Sequence, residues 1–259
     1  MPPPNDAPAF STEILLIESD RKNLRVSELL ADLLSEAREQ YVWGAKSASE
    51  SQEIIVRLES ETARRLADLH GDSAQWIIQE VSRWGGNNET AIRTIASASP
   101  EQKQTFAELI GWLLTSGSTE HALRGLTKQP GLGLVMASKV YRFCCPHIGA
   151  AVDRHSSYFF NSLSVRDEAG KQRVCTQFTR EWDNGKHKTS RLAIYTDPKR
   201  DANLKEYCAT YLPLLAAIAD ALNSQRGGFL CATSRARRPW RPTDVEMAAY
   251  FWWSQREYR

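Results

Sequence analysis

Between two short stretches of helical periodicity, Glu120–Gln129 and Leu134–Cys144, the chain has only Pro130-Gly131-Leu132-Gly133 in which to reverse direction. Four residues leave room for nothing but a tight hairpin, so the two helices must lie against one another. The glycines allow positive φ and let a ligand approach the backbone closely. The amides at the start of the second helix point outward with the positive end of its dipole. A phosphate is the natural occupant of such a turn and is held there without reference to base sequence. An ordinary αα-hairpin needs a glycine turn as well, so the hairpin by itself leaves both readings open.

The remainder of the chain is patterned mainly for helices. Leu24, Leu29, Leu30, Leu33, Leu34 and Ala37 recur at helical spacing within 20–41, and Ile54, Ile55, Leu58 and Leu66 do so within 49–69. Asp72 can cap a third helix carrying Trp76, Ile77 and Val81. That helix stops at Trp84-Gly85-Gly86-Asn87-Asn88, where Asn88 can cap the next. Ser99-Pro100-Glu101-Gln102 combines an N-cap, a proline at the first helical position and a glutamine able to close a capping box, ahead of a helix running to Gly117. From about Arg173 the texture changes. VCTQFTREW and RLAIYT are rich in β-branched and aromatic residues and flank Asp183-Asn184-Gly185, which predicts a small β-hairpin at about 172–196. Helical patterning resumes over 203–223, with Pro213 marking a kink or a new start. It closes with TDVEMAAYFWWSQ, where Thr243 and Glu246 read as another capping box. The fold class expected is mostly α.

Composition narrows the function classes. With 42% hydrophobic residues the chain can build a core without staples. Its five cysteines are irregularly spaced with no C-x-x-C pair, which argues against a zinc site or redox dithiol and fits a reducing, cytoplasmic setting. The start, MPPPNDAPAF, has no basic end or apolar segment, and no run of about 18 apolar residues occurs, so neither a signal peptide nor a membrane span is expected. The 33 basic and 31 acidic side chains balance to +2, too little to indicate a nucleic-acid partner. Distribution is more telling: Arg226, Arg235, Arg237, Arg238 and Arg241 form a run without an acid, a basic patch or else a solvated loop.

Asp153 lies 22 residues beyond Gly131, in Ala150-Ala151-Val152-Asp153-Arg154-His155, where an apolar run ends and a helix begins. An aspartate there can simply be an N-cap. Hairpin, spacing and the V-D-x-H step together, however, resemble the helix-hairpin-helix DNA glycosylases, the superfamily of endonuclease III and the adenine-mismatch and 8-oxoguanine glycosylases. The resemblance is specific over 126–160 and loose elsewhere.

The resemblance implies a two-lobed fold, one lobe built from 1–71 and 150–259 with the β-hairpin as an insertion. The other is a middle lobe, 72–149, holding the helix-hairpin-helix at 120–144. It implies a monomer acting on double-stranded DNA that contains a modified base, in a prokaryotic cytoplasm and without membrane, metal or other cofactor. Backbone at Gly131, Leu132, Gly133 and Val135 would hold phosphate, and Asp153 would be catalytic. Cleavage of a base-sugar bond builds positive charge on the deoxyribose, which an ionised carboxylate stabilises while it orients or deprotonates water. Relatives that also cut the strand carry a lysine where this chain has Val135, so a monofunctional enzyme is implied; Lys128 and Lys139 then read as solvated or phosphate-facing. His155 reads as a structural hydrogen-bonding residue.

Base flipping requires a wedge and an aromatic pocket. Trp84, Asn87 and Asn88 resemble the loop that enters DNA in 8-oxoguanine glycosylases. Trp252 and Trp253 are candidate pocket walls, with a core role as the alternative. Oxidised, alkylated or hypermodified phage bases such as glucosylated hydroxymethylcytosine are all candidate targets, the last in antiviral defence. A non-catalytic DNA-binding protein and a bifunctional enzyme using a displaced lysine are the competing readings.

Overall fold

The computed structural model describes residues 13–16, 24–86, 89–115, 117–166, 171–182, 190–192 and 197–257. The chain is mostly helical. After strands β1 (Glu13–Leu16) and β2 (Leu24–Arg25) come helices α1 (Glu28–Glu39), α2 (Ala48–Leu66), α3 (Gly71–Trp84), α4 (Glu89–Ala96), α5 (Pro100–Leu113), α6 (Thr119–Leu126), α7 (Leu134–Cys144) and α8 (Arg154–Ser162). Strands β3 (Ser164–Arg166), β4 (Gln172–Val174), β5 (Arg180–Trp182) and β6 (Ser190–Leu192) precede α9 (Asp197–Glu206). A π-helical turn (Tyr207–Tyr211) leads into α10 (Leu212–Arg226), and β7 (Phe229–Leu230), β8 (Arg237–Arg238) and α11 (Pro242–Glu257) complete the chain.

Local chemistry explains most helix starts. Ser27 and Ser47 accept from the amides of Leu30 and Glu50, and the Ser99–Gln102 box forms in both directions. Two starts differ from expectation. His70, not Asp72, stands at the N-cap of α3; Asp72 lies inside the first turn, where Lys103 Nζ reaches it at 2.8 Å. The Thr243–Glu246 box does not form. Pro242 is the first residue of α11, and Asp244 Oδ2 accepts the Arg241 amide at 3.2 Å, so the cap sits two residues earlier. This register turns Thr243 and Glu246 into the interior, where both are buried.

Helix packing separates into two groups sharing one continuous hydrophobic core. In one, α3 packs on α5, α5 on α6, and α7 on α3 and α2; in the other, α11 packs on α1, α8 and α10. A polar network joins them. Arg38 of α1 bridges Asp244 Oδ1 of α11 at 2.9 Å and Gln52 Oε1 of α2 at 2.8 Å, and Arg241 reaches both Asp244 and Glu59 of α2.

The β segment divides in two. Strand β4 pairs antiparallel with β3 in a sheet of order β2-β1-β3-β4, in which β1 and β3 run parallel. The expected hairpin pairing is made by β5 and β6, with Glu181 opposite Arg191; Asp183, Asn184 and Gly185 lie outside the described residues. Pro213 accounts for the π turn. Lacking an N–H, it cannot continue the regular ladder, and the Leu212 amide reaches back five residues to the Tyr207 carbonyl. Among the described residues, no helix is long and apolar enough to cross a membrane.

Candidate active site

The hairpin between α6 and α7 places its glycine where geometry requires one. Gly131 has φ +79°, and a Cβ there would come within 2.9 Å of Ala91 Cβ, so the turn is both left-handed and pressed against α4. Gly133 is the N-cap of α7 with no side chain to serve the first turn. The amides of Gly133, Leu134, Val135 and Met136 donate to no described group. They are the unsatisfied donors at the positive end of the α7 dipole. Leu132 departs from the expected role: its amide already donates to the Gln129 carbonyl at 3.1 Å and its side chain is buried, so it anchors the turn. Lys128 is exposed.

Asp153 is the N-cap of α8, with φ −142° and ψ −166°. All three of its carboxylate hydrogen bonds fall on Oδ1: from the His155 amide at 2.9 Å, the Ser156 amide at 2.9 Å and the Ser156 hydroxyl at 3.2 Å. Among the described residues, Oδ2 accepts none. One oxygen therefore caps the helix while the other takes no part in the cap. The segment before it is clamped from two elements. Tyr207 and Tyr211 of the π turn donate their hydroxyls to the carbonyls of Ala150 and Ala151, at 2.5 and 2.9 Å, while Ser138 Oγ of α7 accepts the Val152 amide at 3.0 Å.

Three charged side chains share this neighbourhood with Asp153. Glu246 of α11 is 5% exposed. Burial, reinforced by the Asp153 charge and opposed by Arg142, Lys139 and Arg38, pushes its carboxyl up to about 8. Lys139 of α7 is buried rather than solvated, which corrects the expectation for it: its Nζ donates to the Gly85 carbonyl at 2.8 Å and lies 5.2 Å from the Trp43 ring centre. Burial pulls its pKa down, with Asp153 and Glu246 acting against that. Arg142, fully buried, donates Nε to Thr243 Oγ1 and stacks over Trp84 at 4.9 Å.

Aromatic rings complete the group. Trp43 meets Trp84 at 6.3 Å and Tyr250 at 5.3 Å, edge to face in both cases. Tyr250 in turn meets Tyr41 at 6.3 Å and buried His155 at 5.0 Å. Trp43 Nε1 donates to the Trp84 carbonyl at 2.6 Å, fixing the loop after α1 to the end of α3. Trp84 is thereby held as a wall, with Phe143 at 4.9 Å behind it, and does not project as a wedge. Asn87 and Asn88 lie outside the described residues. Trp252 and Trp253 pack on α8 instead, Trp252 against Phe159 at 5.5 Å and Trp253 stacked on Tyr158 at 5.4 Å; among the described residues neither joins the rings around Asp153. A cavity of about 650 Å³ opens nearby between α2 and α3, lined by Trp84, Trp76, Arg57 and Glu61 among others, but Asp153, Lys139 and Glu246 are not in its wall.

The arginine run is largely consumed by the fold. Arg226 pairs with Glu28 and Asp32, Arg237 donates to the carbonyls of Arg226 and Gly228, and Arg241 holds Glu59 and Asp244; Arg235 and Arg238 remain exposed. Sequence reasoning missed Glu246, Tyr41, Trp43 and Tyr250, and weighed Lys139 only as a solvated or phosphate-facing residue or a displaced nucleophile. Glu246 was disguised as a capping residue. Lys139 carried one usable signal, since it lies one helical turn beyond Val135 and so on the same face of α7. Comparison with known proteins found no family model, no curated protein and no solved structure that matches this chain.

Proposed function

We propose that this protein is a monofunctional DNA glycosylase, which binds double-stranded DNA, turns a modified base out of the stack and hydrolyses its N-glycosidic bond. The observation that carries the reading is the division of labour within Asp153: Oδ1 is fully used in capping α8, and Oδ2 is unused beside a group of aromatic rings. A carboxylate oxygen so held stabilises positive charge on a deoxyribose without reorganising, and accepts a proton from the attacking water. The free amides at the start of α7 supply a sequence-independent phosphate contact on the helix that also carries Lys139 and Arg142. A base-release assay by mass spectrometry, on damaged duplexes and on hypermodified phage DNA, tests the reading. It expects free base and a strand that stays intact until alkali is added.

A bifunctional reading draws on one observation, the burial of Lys139 beside Asp153 with its pKa lowered, which is how a lysine becomes nucleophilic. Against it, the ammonium is already bonded to the Gly85 carbonyl and faces two carboxylates. Borohydride trapping separates the two: a covalent protein-DNA adduct that disappears in Lys139→Ala would establish the lyase.

A further inference from the structure

We propose that the cavity between α2 and α3 binds one nucleotide of a single strand of DNA, its base against Trp76 and Trp84 and its phosphodiester on Arg57. Asp153 is not in the wall of this cavity, so the site lies apart from the proposed cleavage centre and stands whether or not the protein releases bases. The cavity measures about 650 Å³, within the range of about 300–1,000 Å³ usual for sites that enclose a small molecule. A second cavity of about 390 Å³, lined also by Thr233 and Arg238, shares Arg57 and Glu61 with it, which leaves a route for the chain of a polymer on past Arg57.

Charge narrows the occupant. The wall of the larger cavity includes the charged side chains Arg57, Glu61, Glu80 and Arg83. Arg83 pairs with Glu80, and Glu61 is held by Arg64 at 2.8 Å, which leaves Arg57. Arg57 stands one helical turn from both Glu53 and Glu61 on α2, the spacing at which ion pairs form, yet among the described residues it is paired with neither. An exposed guanidinium with no protein partner, in a wall whose other charges are matched, complements a single negative charge.

The two indoles supply the other half of the fit. Trp76 and Trp84 are half-buried, and both are held before anything binds: Arg65 lies over the Trp76 ring at 4.8 Å, and Trp84 is packed edge to face against Trp43 and Phe143. Rings already fixed lose little freedom when a ligand arrives. One flat base and one negative charge are what a single nucleotide unit presents, and every base has a face to stack. An acidic peptide would bring the charge without the flat ring. A base still paired in a duplex cannot enter a cavity, so the partner is a single strand.

The test follows binding of fluorescein-labelled octathymidylate to the full-length protein by anisotropy, together with quenching of tryptophan emission. Wild type should bind the oligonucleotide and lose tryptophan emission as bases stack. Arg57→Ala, at an exposed and unpaired position, should weaken binding by about tenfold and lower the slope of log affinity against log salt by about 0.7. Trp76→Leu, its fold checked by circular dichroism, should weaken binding by about 5- to 100-fold and reduce the quenching; if it does not fold, Arg57→Ala decides alone. An oligomer of the same charge built from abasic units should bind at least about tenfold more weakly and quench nothing. No binding, or binding that Arg57→Ala leaves unchanged, overturns the site. Equal binding of the abasic oligomer, or of polyglutamate with the same dependence on Arg57, overturns the assignment to a nucleotide. Asp153→Asn should bind octathymidylate as wild type does, whatever becomes of base release; weakened binding there would place the strand at Asp153 and overturn the proposal.

Discussion

Asp153 and Ser156 hold each other reciprocally: Ser156 donates its amide and its hydroxyl to Asp153 Oδ1, at 2.9 and 3.2 Å, and its oxygen accepts the Asp153 amide at 2.9 Å. The capping box thus does two jobs. It starts α8, and it orients a carboxylate through one oxygen alone, so the direction of the other is set by the helix and not by a partner that substrate would have to displace.

Asp153→Asn retains an oxygen able to accept the same amides, so the fold should survive while the charge is lost. Base release should fall by about 10²–10³-fold or more, as for removal of a principal electrostatic stabiliser, with DNA affinity unchanged. Near-normal release by this variant, measured in single turnover, would remove Asp153 from the mechanism.

Tyr211→Phe should act on the same carboxylate from a distance. It leaves the buried Ala151 carbonyl without its donor and costs about 1–3 kcal/mol of stability. Because that carbonyl lies two residues before Asp153, turnover should drop more than DNA affinity; thermal unfolding paired with single-turnover kinetics checks both.

Gly131→Ala should destabilise the hairpin by about 1–2 kcal/mol from the left-handed backbone alone, with the contact to Ala91 adding to it. Gly131→Asp adds a negative charge at the proposed phosphate site. It should weaken binding to every DNA sequence and flatten the salt dependence. Titrations at several salt concentrations with unrelated duplexes would expose an unchanged slope, which would reduce the hairpin to a turn.

Stability should pass through a maximum as pH is varied, because two buried carboxyl groups are shifted in opposite senses. For Asp244, burial acts to raise the pKa, but Arg38 and Arg241 together outweigh it and hold the group low. Its contribution is complete above about pH 4, the unfolded value, and is lost as pH falls through the lower native one. Glu246 is raised to about 8, so its contribution is complete below its ordinary value near 4.5 and is lost as pH rises through about 8. Glu246→Gln should therefore gain on wild type in melting temperature from pH 6 to 9, and Asp244→Asn should lose most where the ion pair is intact. Breaking that buried pair costs about 3–5 kcal/mol. Melting curves of the three proteins across pH would show parallel behaviour if neither group is shifted.

Short-range chemistry was readable along the chain. The Ser99–Gln102 box, the four-residue hairpin with its obligatory glycine and the helix start at Asp153 each depend on residues within a few positions of one another, where spacing alone dictates which groups can meet. The start of α11 was misread because two residues could accept an upstream amide, and Pro242 with Asp244 favoured the earlier of two overlapping registers. That choice of register decides which side chains of α11 turn inward, and with it whether Glu246 is a surface cap or a buried acid. The surroundings of Asp153 were beyond reach for a further reason. Tyr41 and Trp43 follow α1, Lys139 lies in α7, Glu246 and Tyr250 in α11, and the clamping tyrosines in a π turn, so no local pattern relates them. Packing of helices distant in the chain assembles them, and only that packing removes the water that would otherwise leave Glu246 and Lys139 with their ordinary pKa values.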